Sequence, residues 1–153
     1  LEKEEQKGFV LMNDKEKKLE DLEKFLSSKR SEWTSRIREI IKGIRNVEKL
    51  EDDIALMLSY RQMLVEEVAD LNSTIFKNKK SYNVLQKHKY ISYYKNDYKW
   101  SDKQKNMMLK SDLAIEIMQI QLLDSQLEFF KECIQTLDKM GWAAKVRVDL
   151  ENI

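Results

Sequence analysis

The chain has 153 residues, of which 36 % are charged and 42 % hydrophobic, with three glycines, no proline and a single cysteine. That composition excludes a disulfide framework and a loop-rich globule, and it points to an all-α chain of long amphipathic helices with coiled-coil character. The formal net charge of +1 conceals a segregation: residues 1–72 carry 14 basic and 17 acidic groups, residues 73–110 carry 10 and 2, and residues 111–153 carry 4 and 8.

In chain order, the numbering opens at Leu1 rather than at a methionine, so residues 1–12 are set apart as a disordered or non-native start, with Met12 as a natural beginning. Residues 13–100 form a helical region. Its heptad count places Met12, Leu19, Leu26, Trp33, Ile40, Val47, Ile54, Arg61, Val68 and Ile75 at one core position. Arg30, Ile37, Ile44, Glu51, Leu58, Val65 and Asn72 fall at the other. A repeat of 3.5 residues held this long predicts a seam against another helix, and the polar intrusions at Arg30, Glu51, Arg61 and Asn72 are places where register is set or the seam breaks. Gly43 costs about 1 kcal/mol against alanine inside a helix, so at least two helices are expected before residue 76. Met57, Leu64 and Leu71 form a second stripe beside the seam, which predicts more than one neighbour.

The stretch Lys77 to Trp100, KNKKSYNVLQKHKYISYYKNDYKW, holds seven lysines against one acid, with the only histidine and five of the six tyrosines. Phosphates attract ammonium groups and release counterions, while unpaired bases stack on exposed rings, so this interleaving predicts a single-stranded nucleic-acid surface. The candidate residues are Lys77, Lys79, Lys80, Lys87, His88, Lys89, Tyr90, Tyr93, Tyr94, Lys95, Lys99 and Trp100. A solvated helix face with its tyrosines in a groove is the plainer alternative. Asn96 and Asp97 predict a turn, and Ser101 with Gln104 has the spacing of a capping box that opens a new helix.

Residues 101–153 are expected to form a C-terminal helix and tail that drive homo-oligomerisation. Leu113, Ile117, Ile120, Leu123, Leu127, Phe130, Ile134 and Leu137 make a stripe, widened by Ile115, Met118, Leu122, Phe129 and Cys133 beyond a two-stranded seam. Left open on a monomer, it would be an apolar patch larger than soluble chains tolerate. Gly141 is the expected helix stop. Trp142, Val146, Leu150 and Ile153 then fit a short helix, and Trp142 joins the oligomerisation set.

One histidine and one cysteine do not make a zinc site, and neither GxxxxGK[ST] nor GxGxxG is present, so neither enzyme nor metal nor cofactor is expected. The acid pairs Asp52–Asp53 and Glu66–Glu67 point to different sides of a helix and read as hydrated surface. No uncharged stretch approaches the roughly 18 residues of a membrane span. A soluble, cytoplasmic protein without membrane contact is the expectation.

From about Ser59 to Leu150 the chain resembles the UvsY family, the recombination mediators of T4-type bacteriophages. The matching residues are Tyr93 and Tyr94 in ISYYKND, the helix LLDSQLEFFKECIQTLDKM, and Gly141 with Trp142 followed by AAKVRVDL. The family carries a Lys and an Arg with one residue between them ahead of its Tyr pair and ties them to DNA binding. Lys87 and Lys89 have that spacing one residue too far from Tyr93, whereas His88 and Tyr90 stand in the strict register, so the role is open among these four. The resemblance implies a non-enzymatic protein that binds single-stranded DNA and forms a ring-like homo-oligomer through its C-terminal helix. It further implies help in loading a RecA-like recombinase onto DNA covered by single-strand-binding protein, in the host cytoplasm of a phage. The rival from another class is a coiled-coil scaffold or adaptor that binds no nucleic acid.

Overall fold

A computed structural model describes residues 2–95 and 99–152, with side chains from Asp14 onward. The described residues form helices α1 (Glu2–Gly43), α2 (Leu50–Lys95), α3 (Asp102–Asp112) and α4 (Ala114–Glu151), with a single 3₁₀ turn at Val47–Lys49. The fold is all-α. Helix α1 takes in the backbone of residues 2–12 that the sequence set apart, while the turn expected at Asn96 and Asp97 lies outside the described residues.

Space divides the chain differently from sequence order. One compact unit comprises residues 1–24 and 73–124, and the other comprises residues 25–72 and 125–153. In the second unit the paired residues give the helix directions. Lys29 meets Glu67 at 3.3 Å and the Trp33 and Tyr60 rings meet edge-on at 5.6 Å, so α1 and α2 run antiparallel there. Gln126 donates to the Leu26 carbonyl and Arg147 donates to that of Ile44, so α1 and α4 run parallel. Arg61 pairs with Asp138 at 2.7 Å, and Met57 lies against Gly141, which sets α2 and α4 antiparallel.

The heptad frame holds along α1, where Leu26, Trp33, Ile37 and Ile40 are buried. Beyond the break it holds only in part. Ile75 is buried and Ile54 and Val68 are partly buried, but Val47, Leu58 and Val65 are exposed, and most of the α2 core is Leu50, Met57, Leu64 and Leu71. The expected second stripe is therefore the seam itself. The cause is the non-helical link after Gly43: Asn46 accepts from Glu48 N and donates to the Gly43 carbonyl, and the new helix takes its rotation from that turn rather than from the heptads before it. Glycine at 43 avoids crowding, since a Cβ there would lie 3.0 Å from Asp53 Oδ2 and that carboxylate would have to give way.

Polar intrusions divide by role. Gln126 is fully buried, accepts from Arg30 Nε at 2.6 Å and donates to Leu26 O at 3.2 Å. Arg30, the misfit of the heptad frame, thus has a specific partner on α4. Glu51 and Asn72 are exposed.

Helix α4 corrects three expectations. Leu123, Leu127, Phe130, Cys133 and Leu137 are buried within this chain, and Ile117, Ile120 and Ile134 are partly buried. The broad stripe is a core face of the chain itself, so it does not supply the open patch from which self-association was inferred. Second, the helix does not begin continuously from Ser101: Leu113, at φ −108° and ψ 19°, separates α3 from α4 and is buried beside Tyr93 and Leu109. Third, Gly141 does not stop the helix, which continues to Glu151. Buried Ala144 and the hydrogen bond of Arg147 to Ile44 O hold the last turns in the second unit, offsetting the glycine's weak propensity. Trp142, placed in the self-association set, is 71 % exposed and lines a groove of about 460 Å³ with Ile54, Met57 and Leu58. Cys133 is buried, and desolvation pushes its thiol up to about 11.

Two measurements check this packing. Gln126→Ala leaves Arg30 without its partner and should lower unfolding free energy by about 1–3 kcal/mol, read from the urea midpoint. Gly141→Ala has room for its methyl group, 4.0 Å from Met57 Sδ, and should raise stability by about 0.4–1 kcal/mol, whereas Gly43→Ala must displace Asp53 and should gain less.

Candidate nucleic-acid interface

The basic stretch occupies the last five turns of α2 and the entry to α3, all within the first unit. Core demand on this part of α2 is small: Ile75 and Tyr93 are buried and Tyr82 and Tyr90 are partly covered. The remaining faces turn outward. Lys77, Lys79, Lys80, Lys87, His88, Lys89 and Lys95 are all exposed, as is Lys99 beyond the helix. The plain reading of the lysines as solvent-facing is thus met, and every one of them is available to an anionic partner.

The rings are apportioned otherwise. Tyr93 is buried with Leu109 and Leu113, and Tyr82, Tyr90 and Trp100 pack against that cluster. Tyr93 meets Trp100 edge-on at 5.7 Å, and its hydroxyl donates to the Asp112 carboxylate. These rings clamp α3 to the end of α2. The capping box at the head of α3 forms as expected, with Ser101 Oγ accepting from Gln104 N at 3.2 Å and Ser101 N donating to Gln104 Oε1 at 3.0 Å. Tyr93 is therefore a core ring and not an open platform for a base, and Trp100 is half-committed to the same cluster.

Tyr94 differs from its neighbour because successive helix residues point about 100° apart. It is 53 % exposed, and its hydroxyl lies 3.3 Å from that of Tyr90 and 3.5 Å from Asp102 Oδ1. The hydrogen bond with Tyr94, with a smaller contribution from burial, holds the Tyr90 phenol above the usual tyrosine range. Lys105 Nζ stands 3.6 Å from the centre of the Tyr94 ring, a cation–π contact that leaves this lysine only 7 % exposed. One face of Tyr94 is thereby occupied.

Two residues of this region escaped the sequence reading. Lys105 lies outside the 77–100 stretch, and no periodicity reports that the chain folds back to lay it on Tyr94. Phe76 lies one residue before the stretch and is 70 % exposed. Stepping back four and three residues from Lys80 and Lys79 would have found it. With Lys79, Lys80, Asn83, Val84 and Lys87 it lines a groove of about 560 Å³ along α2.

Among the described residues no three His, Cys, Asp or Glu side chains gather as a metal site requires, and no helix is long and apolar enough to cross a membrane. No protein-family model, no curated protein and no solved structure matches the chain.

The core placement of Tyr93 has a measurable signature. Tyr93→Ala should cost about 3–5 kcal/mol of stability, as large aromatic truncations do in cores. The salt dependence of any oligonucleotide binding should stay unchanged, which calorimetric unfolding and a salt titration read separately.

Proposed function

We propose that the chain binds single-stranded nucleic acid through the lysine-bearing faces of α2. Following its resemblance to the UvsY family, it acts as a recombination mediator that helps load a RecA-like recombinase on DNA covered by single-strand-binding protein. The observation that carries the binding part is the exposure of all seven lysines between Lys77 and Lys99. Among the described residues none of them forms an ion pair of the kind that joins Lys15 to Glu116 or Lys29 to Glu67. Ammonium groups so placed neutralise phosphates and release condensed counterions, which drives binding without sequence preference.

The arrangement suits a single strand, because what it offers is a charged track with rings at its margin. A scaffold that binds no nucleic acid is the reading that failure of the following test would leave.

With about five phosphate contacts, log affinity for oligothymidylate should fall against log salt with a slope of about −3.5, from a single-strand coefficient of about 0.7 per contact. The combined Lys79→Ala, Lys80→Ala and Lys87→Ala variant should flatten that slope by about 2 while leaving the thermal midpoint in place. Fluorescence anisotropy across a salt series reads the slope, and a wild-type protein that fails to bind at low salt would refute the proposal.

A further inference from the structure

The rings that seemed suited to stacking in the sequence are largely consumed by the α2–α3 clamp. That leaves the question of which ring an unpaired base would meet. On α2 the residues Phe76, Lys80, Asn83, Lys87, Tyr90 and Tyr94 follow one another in steps of four, three, four, three and four, so they share one side of the helix. Phe76, 70 % exposed, opens this side and Tyr94, 53 % exposed, closes it. Among the described residues no second ring and no cation lies over Phe76, in contrast to Tyr94 under Lys105.

We propose that Phe76 is the stacking platform of this surface: an unpaired nucleobase lies on its ring in the groove beside Val84, while the adjoining phosphates meet Lys79, Lys80 and Lys87. The proposal rests on the reading of the chain as a single-strand binder and assigns a residue that the stretch 77–100 does not contain.

Three features select this ligand. The groove lining holds three lysines and no acid, so its occupant is anionic. It also holds an exposed aromatic face and the half-exposed Val84, so the occupant brings a flat apolar group next to its charge. A phosphodiester chain with free bases meets both conditions, whereas a duplex keeps its bases stacked inside. An anionic lipid surface would instead require a continuous apolar face flanked by cations, and here lysines stand between Phe76 and Val84 along the helix. The run from Phe76 to Lys87 covers about 16 Å at a rise of about 1.5 Å per residue, room for a short stretch of strand.

The experiment compares the full chain with Phe76→Ala and Phe76→Trp on three probes: oligothymidylate, an abasic deoxyribose-phosphate oligomer of equal length, and vesicles of phosphatidylserine in phosphatidylcholine. Because Phe76 is mostly in solvent, both variants should keep the wild-type circular-dichroism melt. Phe76→Ala should weaken oligothymidylate binding by roughly 5- to 150-fold with an unchanged salt slope, and should leave the abasic oligomer unaffected. Phe76→Trp should restore or tighten it. Equal loss on the abasic oligomer, or no loss on oligothymidylate while wild type binds it, would overturn the stacking role and leave the lysine track standing. Loss on vesicles alone would overturn it in favour of a membrane surface. A wild-type protein that binds no oligonucleotide at low salt would overturn both this assignment and the reading beneath it.

Discussion

An amide with no access to water must find its partners inside the protein, and Gln126 meets that constraint in the second unit. Fully buried, it takes the Arg30 guanidinium on its oxygen and gives a hydrogen to the Leu26 carbonyl. Leucine and isoleucine stripes tolerate sliding by a heptad, because one apolar contact replaces another. A buried amide does not. Displacement of α1 along α4 would strand Gln126 and Arg30 together, at about 1–3 kcal/mol for each unsatisfied group. With this register fixed, Arg147 reaches the Ile44 carbonyl at the end of α1 and Trp33 meets Tyr60 across from it.

The same economy shapes α2. A helix of 46 residues buries only one stripe of its surface, and the composition of the other faces is then free for another purpose. Between Phe76 and Lys95 that freedom is filled with lysine. The aromatic residues mixed among them serve two ends: rings at 82, 90 and 93 pack toward α3, Tyr94 stays half-exposed beneath Lys105 of α3, and Phe76 faces outward. The division follows helical rotation, which is why adjacent Tyr93 and Tyr94 have unlike surroundings.

Much of this was readable in the residues, and the failures have definite causes. Helix class, the heptads of α1, the capping box at Ser101 and the outward lysines all follow from local chemistry or from a period within one helix. What a break does to phase does not, so Leu58 was placed in the core and Met57 beside it, the reverse of the structure. The stripe from Leu113 to Leu137 was recognised as a burial face, but periodicity states only that a face is covered and not whether the cover is the same chain. Gly141 misled because its stop signal depends on a left-handed backbone that later contacts at Ala144 and Arg147 do not allow to form. At the site, interleaved charge and ring marked a region whose lysines face outward, while the choice between clamp and open ring waited on where α3 lies.

One feature of the helix pairing carries into the protein's synthesis. The contacts of α1 with α4 join residues about a hundred positions apart: Lys15 with Glu116, Arg30 with Gln126, Ile44 with Arg147. Such separation is large for a helical chain, and closure of long loops slows folding. On a ribosome adding about 5–20 residues per second, the apolar stripe of α1 emerges roughly 5–20 s before the helix that completes its cover. In that interval α2 is in place to shield it, antiparallel and joined by the short link after Gly43. The α1–α2 hairpin is thus a nascent-chain shelter first, and the seat into which α4 docks afterwards.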